Sequence, residues 1–255
     1  MTKELFIGKP NNTAKKPLKI LVGNSSNIAK EVKSIFVGNS SNQAVKVFPS
    51  FPDTYQKVEY ILNTNATEYI NLNIKPDSNT RSVIKFAIDN ATTTSSSTRR
   101  FFGAYQPYPV YSIGYYNRGS TYTPRFDIDF GSNAGLYNAE GISEDVTYTI
   151  DFNRNGGDFY LDDTLLGTST ATFSALSTDL ILFGYSNSTK PNGQATDVKY
   201  RLYHFRAYQN NMIIRDMFPC YEKENTLNVG MYDLVNGVFY ANNGTGIFYK
   251  GPDVN

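Results

Sequence analysis

The sequence has no tryptophan, one cysteine (Cys220) and one histidine (His204) among 255 residues. A single cysteine cannot form an intrachain disulfide, and a single histidine leaves one candidate base for Ser-His-Asp or Cys-His chemistry. The apolar neighbours of Cys220 in MFPCY indicate a buried thiol, and we expect His204 to be a packed or hydrogen-bonded structural residue. The net charge of +1 gives no support for a nucleic-acid or anionic-membrane partner.

Long apolar runs are also missing. No stretch of about eighteen consecutive apolar residues occurs, and the opening segment MTKELFIGKPNN has no apolar core of the kind found in signal peptides. We therefore expect neither membrane insertion nor export by a standard signal peptide, and we expect synthesis and assembly in the cytoplasm. No Gly-rich phosphate loop opens a helix pattern, so no nucleotide is predicted, and we expect no cofactor.

Aromatic residues (20 Tyr and 17 Phe) and period-two alternation of apolar residues dominate the sequence after about residue 54. In RFDIDFG (125–131) the apolar residues fall on one face and Arg125, Asp127 and Asp129 on the other, which predicts a solvated face. Turn clusters such as RNGGD, NSTKPNG and NNGTG separate the strand patterns, and Asn90–Arg100 is a low-complexity segment that we expect to be a mobile loop. The fold class predicted is an all-β jelly-roll β-sandwich.

A tandem repeat precedes this region. Ile20–Ser34 and Ile35–Pro49 are identical at nine of fifteen positions, and Leu5–Lys19 aligns with both without gaps. Each unit has a short apolar run, a glycine, a polar turn and a second short run, which is typical of a β-hairpin. The sequence therefore predicts a three-hairpin module over 1–49, a boundary in the proline-containing FPSFPD, and a second domain over 50–255.

An isolated hairpin is only marginally stable in water, and three hairpins in about 45 residues lack a sizeable core. We therefore expect residues 1–49 to be an attachment module that binds other proteins of a larger assembly or further copies of the chain, as in a homotrimer. The alternative is a hairpin extension that packs on its own chain.

Two segments carry a family resemblance. YQKVEYILNTNATEYINLNIKPDSNTR resembles the opening strands of the concanavalin-like, laminin-G-like jelly rolls found in phage and prophage virion proteins of Gram-positive bacteria. RDMFPC followed by GMYDLVNGVFYANNGTG resembles their closing strands, and the VGNSSNxA repeats are similar to repeats that precede such domains. The resemblance covers nearly the whole chain.

What the resemblance implies is a non-enzymatic virion structural protein of the tail or baseplate, whose lectin-like domain recognises host-surface polysaccharide. Its partners are then other virion proteins, bound through residues 1–49. Three alternatives stay open: a capsid decoration protein with no glycan role, a carbohydrate-binding adhesin outside a virion, and a glycoside hydrolase. The resemblance transfers no site residues.

The densest cluster of tyrosines lies between Phe101 and Arg125. Sugar rings stack on aromatic side chains while amides and charged groups bind their hydroxyls, and here the rings must come from Tyr or Phe. The alternative is that alternate tyrosines pack the core and the others are ordinary strand residues. The predicted carbohydrate-binding residues are Tyr105, Tyr108, Tyr115, Tyr116, Asn117, Arg118 and Tyr122.

Two further sites have weaker support. Asp127 and Asp129 share a strand face about 7 Å apart, as a pair of glycosidase carboxylates would, but the E-x-D-x-x-E strand of laminarinase-like enzymes is absent. Asp158, Asp162 and Asp163 offer the hard oxygens that calcium prefers, although adjacent aspartates are equally typical of a hairpin turn. We therefore predict no catalytic residues and no metal site.

Overall fold

In a computed structural model, the described residues are 51–90, 99–106, 108–116 and 123–254, together with four short strands between residues 21 and 48. For those four strands, for Asn90 and for residues 133–138, only the backbone is described. The chain divides into two compact units, Met1–Ser50 and Phe51–Asn255. Over the described ranges the ordered elements are β-strands, and no helix is long and apolar enough to cross a membrane.

The first unit contains two antiparallel strand pairs, β1 with β2 and β3 with β4. Their bounds are β1 (Leu21–Gly23), β2 (Ala29–Glu31), β3 (Ile35–Gly38) and β4 (Ala44–Phe48). Leu21 pairs with Glu31, and Phe36 pairs with Lys46, so the two repeats have the same register. The hairpin prediction is confirmed for the second and third repeats, whereas the first, Leu5–Lys19, lies outside the described residues.

Among the described residues of the second unit, sheet I has eight strands in the main order β12-β11-β10-β9-β16-β7, and β17 pairs with both β9 and β18. The strands are β7 (Ile70–Asn71), β9 (Arg99–Tyr105), β10 (Val110–Tyr116), β11 (Arg125–Gly131), β12 (Asn133–Glu140), β16 (Ile181–Leu182), β17 (Gly184–Asn187) and β18 (Lys190–Ala195). All pairings are antiparallel except the single parallel contact between β17 and β9.

Sheet II has eleven strands over the same described ranges, in the main order β15-β14-β13-β8-β19-β20-β21-β22. The short strands β5, β6 and β23 extend it, because β5 pairs with β20 and β6 pairs with both β19 and β23. The strands are β5 (Tyr55–Lys57), β6 (Ile61–Leu62), β8 (Thr80–Asn90), β13 (Thr147–Arg154), β14 (Asp158–Leu161), β15 (Thr164–Thr168), β19 (Lys199–Gln209), β20 (Met212–Glu222), β21 (Asn225–Asp233), β22 (Val238–Ala241) and β23 (Tyr249–Lys250).

Aromatic side chains fill the space between the two sheets. The ring of Phe86 on β8 lies 5.1 Å from that of Phe101 and 5.3 Å from that of Phe126, both of which belong to sheet I. Tyr148 and Tyr200 complete the ring cluster around Phe86. Such contacts add to the large apolar area that each ring buries. The two sheets therefore form a sandwich with one aromatic core, and the prediction of an all-β jelly-roll sandwich is confirmed.

The β14–β15 connection explains the adjacent aspartates. Leu161 pairs with Thr164, and the two residues between them, Asp162 and Asp163, have φ of 46° and 62°. Positive φ at both central positions is the signature of the type I′ hairpin turn, which Asp and Asn tolerate. The Asp162 carboxylate also accepts a hydrogen bond from the Thr149 backbone N–H at 2.7 Å. The predicted hairpin turn is confirmed for this pair.

His204 is held on the outer side of sheet II by Asp216 of β20. Its Nε2 lies 2.7 Å from Asp216 Oδ1, and Arg206 Nε donates to the same oxygen at 2.9 Å. The imidazole also packs on Phe218, so the prediction of a hydrogen-bonded structural histidine is confirmed. Burial raises the pKa of Asp216, but the hydrogen bonds from His204 and Arg206 outweigh burial and bring that pKa below its ordinary value.

The lowered pKa of Asp216 makes a pH-dependent contribution to stability. A carboxyl whose pKa is lower in the folded state stabilises the fold above its unfolded pKa of about 3.9, and that contribution is lost as the pH falls through the folded pKa. We expect Asp216→Asn to lower the free energy of unfolding by about 1–3 kcal/mol at neutral pH, with the difference from wild type shrinking below about pH 4. Urea unfolding across this pH range measures it.

Asp163→Asn is the matched control, because the Asp163 side chain is 97% exposed and asparagine tolerates its positive φ. We expect this control to follow the wild-type pH profile. A difference between Asp216→Asn and wild type that stays constant from neutral to acidic pH would contradict the assigned role of Asp216.

Candidate functional site

The tyrosines of β10 are divided between the two faces of sheet I. Tyr111 and Tyr115 point into the sandwich and are fully buried, and the Tyr115 ring lies 5.9 Å from that of Phe126. Tyr116 faces the other way, because successive strand residues point to opposite faces. Tyr115 therefore cannot offer its ring to a ligand, which corrects its place in the predicted platform.

Three further predicted tyrosines, Tyr105, Tyr108 and Tyr116, are partly or largely exposed. Tyr105 at the end of β9 and Tyr116 at the end of β10 are half-buried, and Tyr108 in the turn between these strands is 61% exposed. The guanidinium of Arg125 lies 4.6 Å above the Tyr116 ring centroid. The other predicted residues lie outside the described part of the chain: Asn117, Arg118 and Tyr122.

An arginine–carboxylate network lies on the outer face of sheet I. Strand register places Ser112 of β10 opposite Asp129 of β11. Arg100 of β9 reaches across both strands, with Nη2 at 3.0 Å and Nε at 3.1 Å from Asp129 Oδ2. Ser112 donates to that oxygen at 2.9 Å. The guanidinium of Arg100 also stacks on Tyr105, 3.8 Å from the ring centroid.

The prediction of a solvated charged face on β11 is wrong. Asp127 is 4% exposed and Asp129 is 2% exposed. Arg125 Nε donates to Asp127 at 2.8 Å, and Arg100 reaches Asp129 from β9, across β10. Buried carboxylates are stable only when they are paired and hydrogen-bonded, and these arginines supply the pairing.

Two adjoining depressions meet at Arg100 and Tyr185, and we call them together the Arg100 cleft. The first has a volume of about 290 Å³ and the second about 220 Å³. Tyr105 and Tyr185 approach edge to face, with ring centroids 6.5 Å apart. The side chains used below are Arg99, Arg100, Tyr105, Tyr185, Asn187, Gln194 and Asp197.

The β17–β18 hairpin supplies one wall of the Arg100 cleft. Gly184 allows this, because a Cβ at Gly184 would collide with the carbonyl oxygen of Gln194 on the paired strand. Tyr185 and Gln194 are then direct cross-strand partners. The sequence reasoning missed Tyr185, although it identified the adjacent NSTKPNG turn.

The expected mobile loop over Asn90–Arg100 needs a correction at both ends. Asn90 is the last residue of β8, and Arg99 and Arg100 open β9, with Arg100 opposite Gly114 in the ladder to β10. Residues 91–98 lie outside the described part of the chain. Both arginines are held at the cleft because they belong to a strand. The apolar residues Phe101 and Phe102 that follow them in the sequence could have indicated that this strand begins at Arg99.

The arginines of the Arg100 cleft each form an ion pair with an aspartate. Arg99 Nε lies 3.4 Å from Asp197 Oδ2, and both side chains are about half exposed. Arg100 is paired with Asp129 beneath it. The cleft therefore presents donors and acceptors side by side, rather than a net charge, next to two aromatic rings.

Other chemistries have less support among the described side chains. Cys220 is buried, as predicted, and burial raises the pKa of its thiol well above the ordinary value, which disfavours the nucleophilic thiolate. No three Asp, Glu, His or Cys residues of the described ranges converge as a set of metal ligands.

We expect the two arginines of the Arg100 cleft to differ sharply in their contribution to stability. Arg100→Met removes the cation from a nearly buried carboxylate and should lower the free energy of unfolding by about 3 kcal/mol. Arg99→Met removes an exposed ion pair and should cost less than about 1 kcal/mol. Denaturant unfolding of both variants measures the difference, and equal losses would contradict the buried network.

The sequence matches no protein-family model and no curated protein. A function must therefore be inferred from the described side chains themselves. The side chains that line the Arg100 cleft combine partial exposure, aromatic surface and ordered polar groups beside two surface depressions.

Proposed function

We propose that this chain is a non-enzymatic glycan-binding protein of a bacteriophage particle, in the tail or baseplate, and that its β-sandwich binds host-surface polysaccharide at the Arg100 cleft. The observation that carries the proposal is that two surface depressions share Arg100 and Tyr185, one of them lined also by Tyr105 and the other by the Arg99–Asp197 pair, with Asp129 holding Arg100 from beneath.

The side chains of the Arg100 cleft match both the apolar face and the hydroxyl groups of a sugar ring. The apolar face of a sugar ring stacks on aromatic rings, which Tyr105 and Tyr185 provide. Vicinal hydroxyls need donors and acceptors close together, and Arg99 with Asp197 offers both within 3.4 Å. Asn187 and Gln194 add amide groups that both donate and accept.

The dimensions favour a short part of a polymer over a small free ligand. Each depression is smaller than or close to the lower end of the roughly 300–1,000 Å³ range of small-molecule pockets. The two depressions adjoin, because Arg100 and Tyr185 line both of them. Such a pair of depressions is suited to successive sugar residues of a surface polysaccharide.

The carboxylates of the cleft suit binding better than hydrolysis. Glycoside hydrolysis needs a carboxylic acid that donates a proton and a second carboxylate that acts as base or nucleophile. Asp129 is 2% exposed and is covered by Arg100, so it is not accessible to a glycosidic bond in the cleft, and this leaves Asp197 without a second carboxylate there among the described residues. A binding role does not require a pair of accessible carboxylates.

The virion assignment is supported by the sequence resemblance and by the hairpin repeats. The two described hairpins share the register of three equivalent residue pairs and have only three to five residues in each strand. Hairpins of this size are marginal alone, so binding to partner proteins or to other copies of the chain would stabilise them. This supports an attachment role for residues 1–49.

We expect a glycan array of bacterial surface polysaccharides to show binding that depends on Tyr185. Tyr185→Ala and Tyr105→Ala should each weaken binding at least about tenfold, because removing a central aromatic contact typically costs about 1–3 kcal/mol. Titration of the best array ligand by calorimetry provides the measurement.

Tyr249→Ala is the matched control, because Tyr249 is 57% exposed on β23 and does not line the Arg100 cleft. It should leave affinity unchanged. Equal losses in all three variants would place the glycan elsewhere, and no binding to any surface polysaccharide would favour the capsid decoration alternative.

We expect residues 1–49 to be cleaved by protease in the isolated protein and to be protected in assembled particles, because partners would cover the short hairpins. Limited proteolysis followed by mass spectrometry of both samples tests this. Equal cleavage of residues 1–49 in the two samples would oppose the attachment role, whatever the outcome of the glycan measurements.

A further inference from the structure

A second cleft lies at the opposite end of β19 from the Arg100 cleft. Asp197 precedes β19 by two residues, and the turn residues Asn210 and Asn211 follow its last residue, Gln209. An eleven-residue strand separates these points by on the order of 30 Å. The second cleft has a volume of about 100 Å³, and we call it the Asn153 cleft; its side chains are Asn79, Arg81, Asn153, Asn155, Asn210 and Asn211.

Asn153 is the residue of this cleft whose side chain is held in one orientation by hydrogen bonds. It is 2% exposed and has φ of 66° at the irregular end of β13. Its Nδ2 donates to the carbonyl oxygens of Ser78 at 2.9 Å and Thr80 at 2.7 Å. Both amide hydrogens are therefore used, and the direction of the carboxamide is set by the start of β8.

The other atom of the carboxamide, Oδ1, is buried and has no hydrogen-bond partner among the described residues. A buried polar atom without a partner costs free energy, so such atoms in folded proteins are commonly satisfied by a bound molecule. Because Nδ2 is held in place, Asn153 Oδ1 is an acceptor that is already oriented for a donor entering the cleft.

The surrounding charges decide what kind of donor fits. Arg81 makes two hydrogen bonds to Asp151, at 2.7 Å and 2.6 Å, so its charge is already paired. That pairing leaves no unpaired charge among the described lining side chains, so neither an anionic nor a cationic ligand finds a charge partner in the cleft. A neutral hydroxyl group needs only a hydrogen-bond partner.

The exposed asparagines match a ligand with more than one hydroxyl. Asn155 and Asn211 have φ of 55° and 63°, and both are exposed at the rim. Each amide offers a donor and an acceptor. With about 30 Å³ for each water-sized group, the cleft accommodates about three such groups, which corresponds to one hydroxyl-bearing edge of a sugar ring.

We propose that the Asn153 cleft is a second carbohydrate-binding site, specific for the hydroxyl edge of a neutral sugar residue, with Asn153 Oδ1 accepting from a ligand hydroxyl. This inference rests on the chemistry of the asparagines and does not depend on the Arg100 cleft. If both sites bind, one sandwich contacts a polysaccharide surface at two points, which raises avidity.

The test is an NMR titration of the 255-residue chain with the methyl glycosides of glucose, galactose, mannose and N-acetylglucosamine. Glucuronate and glucosamine serve as charged analogues of glucose. We expect at least one neutral glycoside to shift the amide resonances of Asn153, Asn155 and Asn211, and we expect both charged analogues to bind more weakly there.

Asn155→Gly and Asn211→Gly remove one amide each and keep a backbone that accepts positive φ, so both variants should fold. Each should weaken binding about fivefold, the effect of one lost hydrogen bond. Asn73→Gly makes the same change at φ of 52° outside the cleft and should have no effect.

Three results would overturn the second site. One is the absence of shifts at these residues with every neutral glycoside, which would leave an ordered water as the partner of Asn153 Oδ1. Another is binding that is unchanged in Asn155→Gly and Asn211→Gly. The third is equal affinity for the charged analogues. Tyr185→Ala should not affect this titration, so failure here is distinguishable from failure at the Arg100 cleft.

Discussion

The aromatic interface between the two sheets is the constraint on which the rest of the second unit depends. Phe86 of sheet II meets Phe101 and Phe126 of sheet I at the centre of the sandwich. Strand residues alternate between faces except at bulges, so burying Phe101 and Phe126 places Arg100 of β9 and Asp127 of β11 on the outer face of sheet I. A shift of one residue in β10 would expose Tyr111 and bury Ser112 in an apolar core.

The outward direction of these side chains brings Arg100, Asp129 and Ser112 together on the outer face of sheet I, where the candidate site lies. Arg100 reaches Asp129 because β9, β10 and β11 are neighbours in register, and a guanidinium held by a buried carboxylate is ordered before any ligand arrives. Binding then costs less side-chain entropy. At the other end of β19, the two backbone carbonyls that hold Asn153 pre-orient its free oxygen in the same way.

The sequence was a good guide where periodicity decides the outcome. Alternation and Asn/Gly turns predicted the sandwich, and the Asp162–Asp163 turn and the buried Cys220 followed from local chemistry. Which face of the sheet each side chain points to was harder to predict. Tyr115 and Tyr116 are neighbours on one strand, so they point to opposite faces and cannot both belong to one platform. Tyr115 is the one that is buried in the core. Tyr185 could not be predicted as a site residue, because its contact with Tyr105 comes from pairing between strands distant in sequence.

The most direct test of the account is chemical-shift mapping of the intact protein with a defined oligosaccharide from a host-surface polysaccharide. The account predicts that the largest shifts fall on Arg99, Arg100, Tyr105 and Tyr185, with the core cluster around Phe86 unchanged. Binding whose shifts leave these four residues unaffected would contradict it.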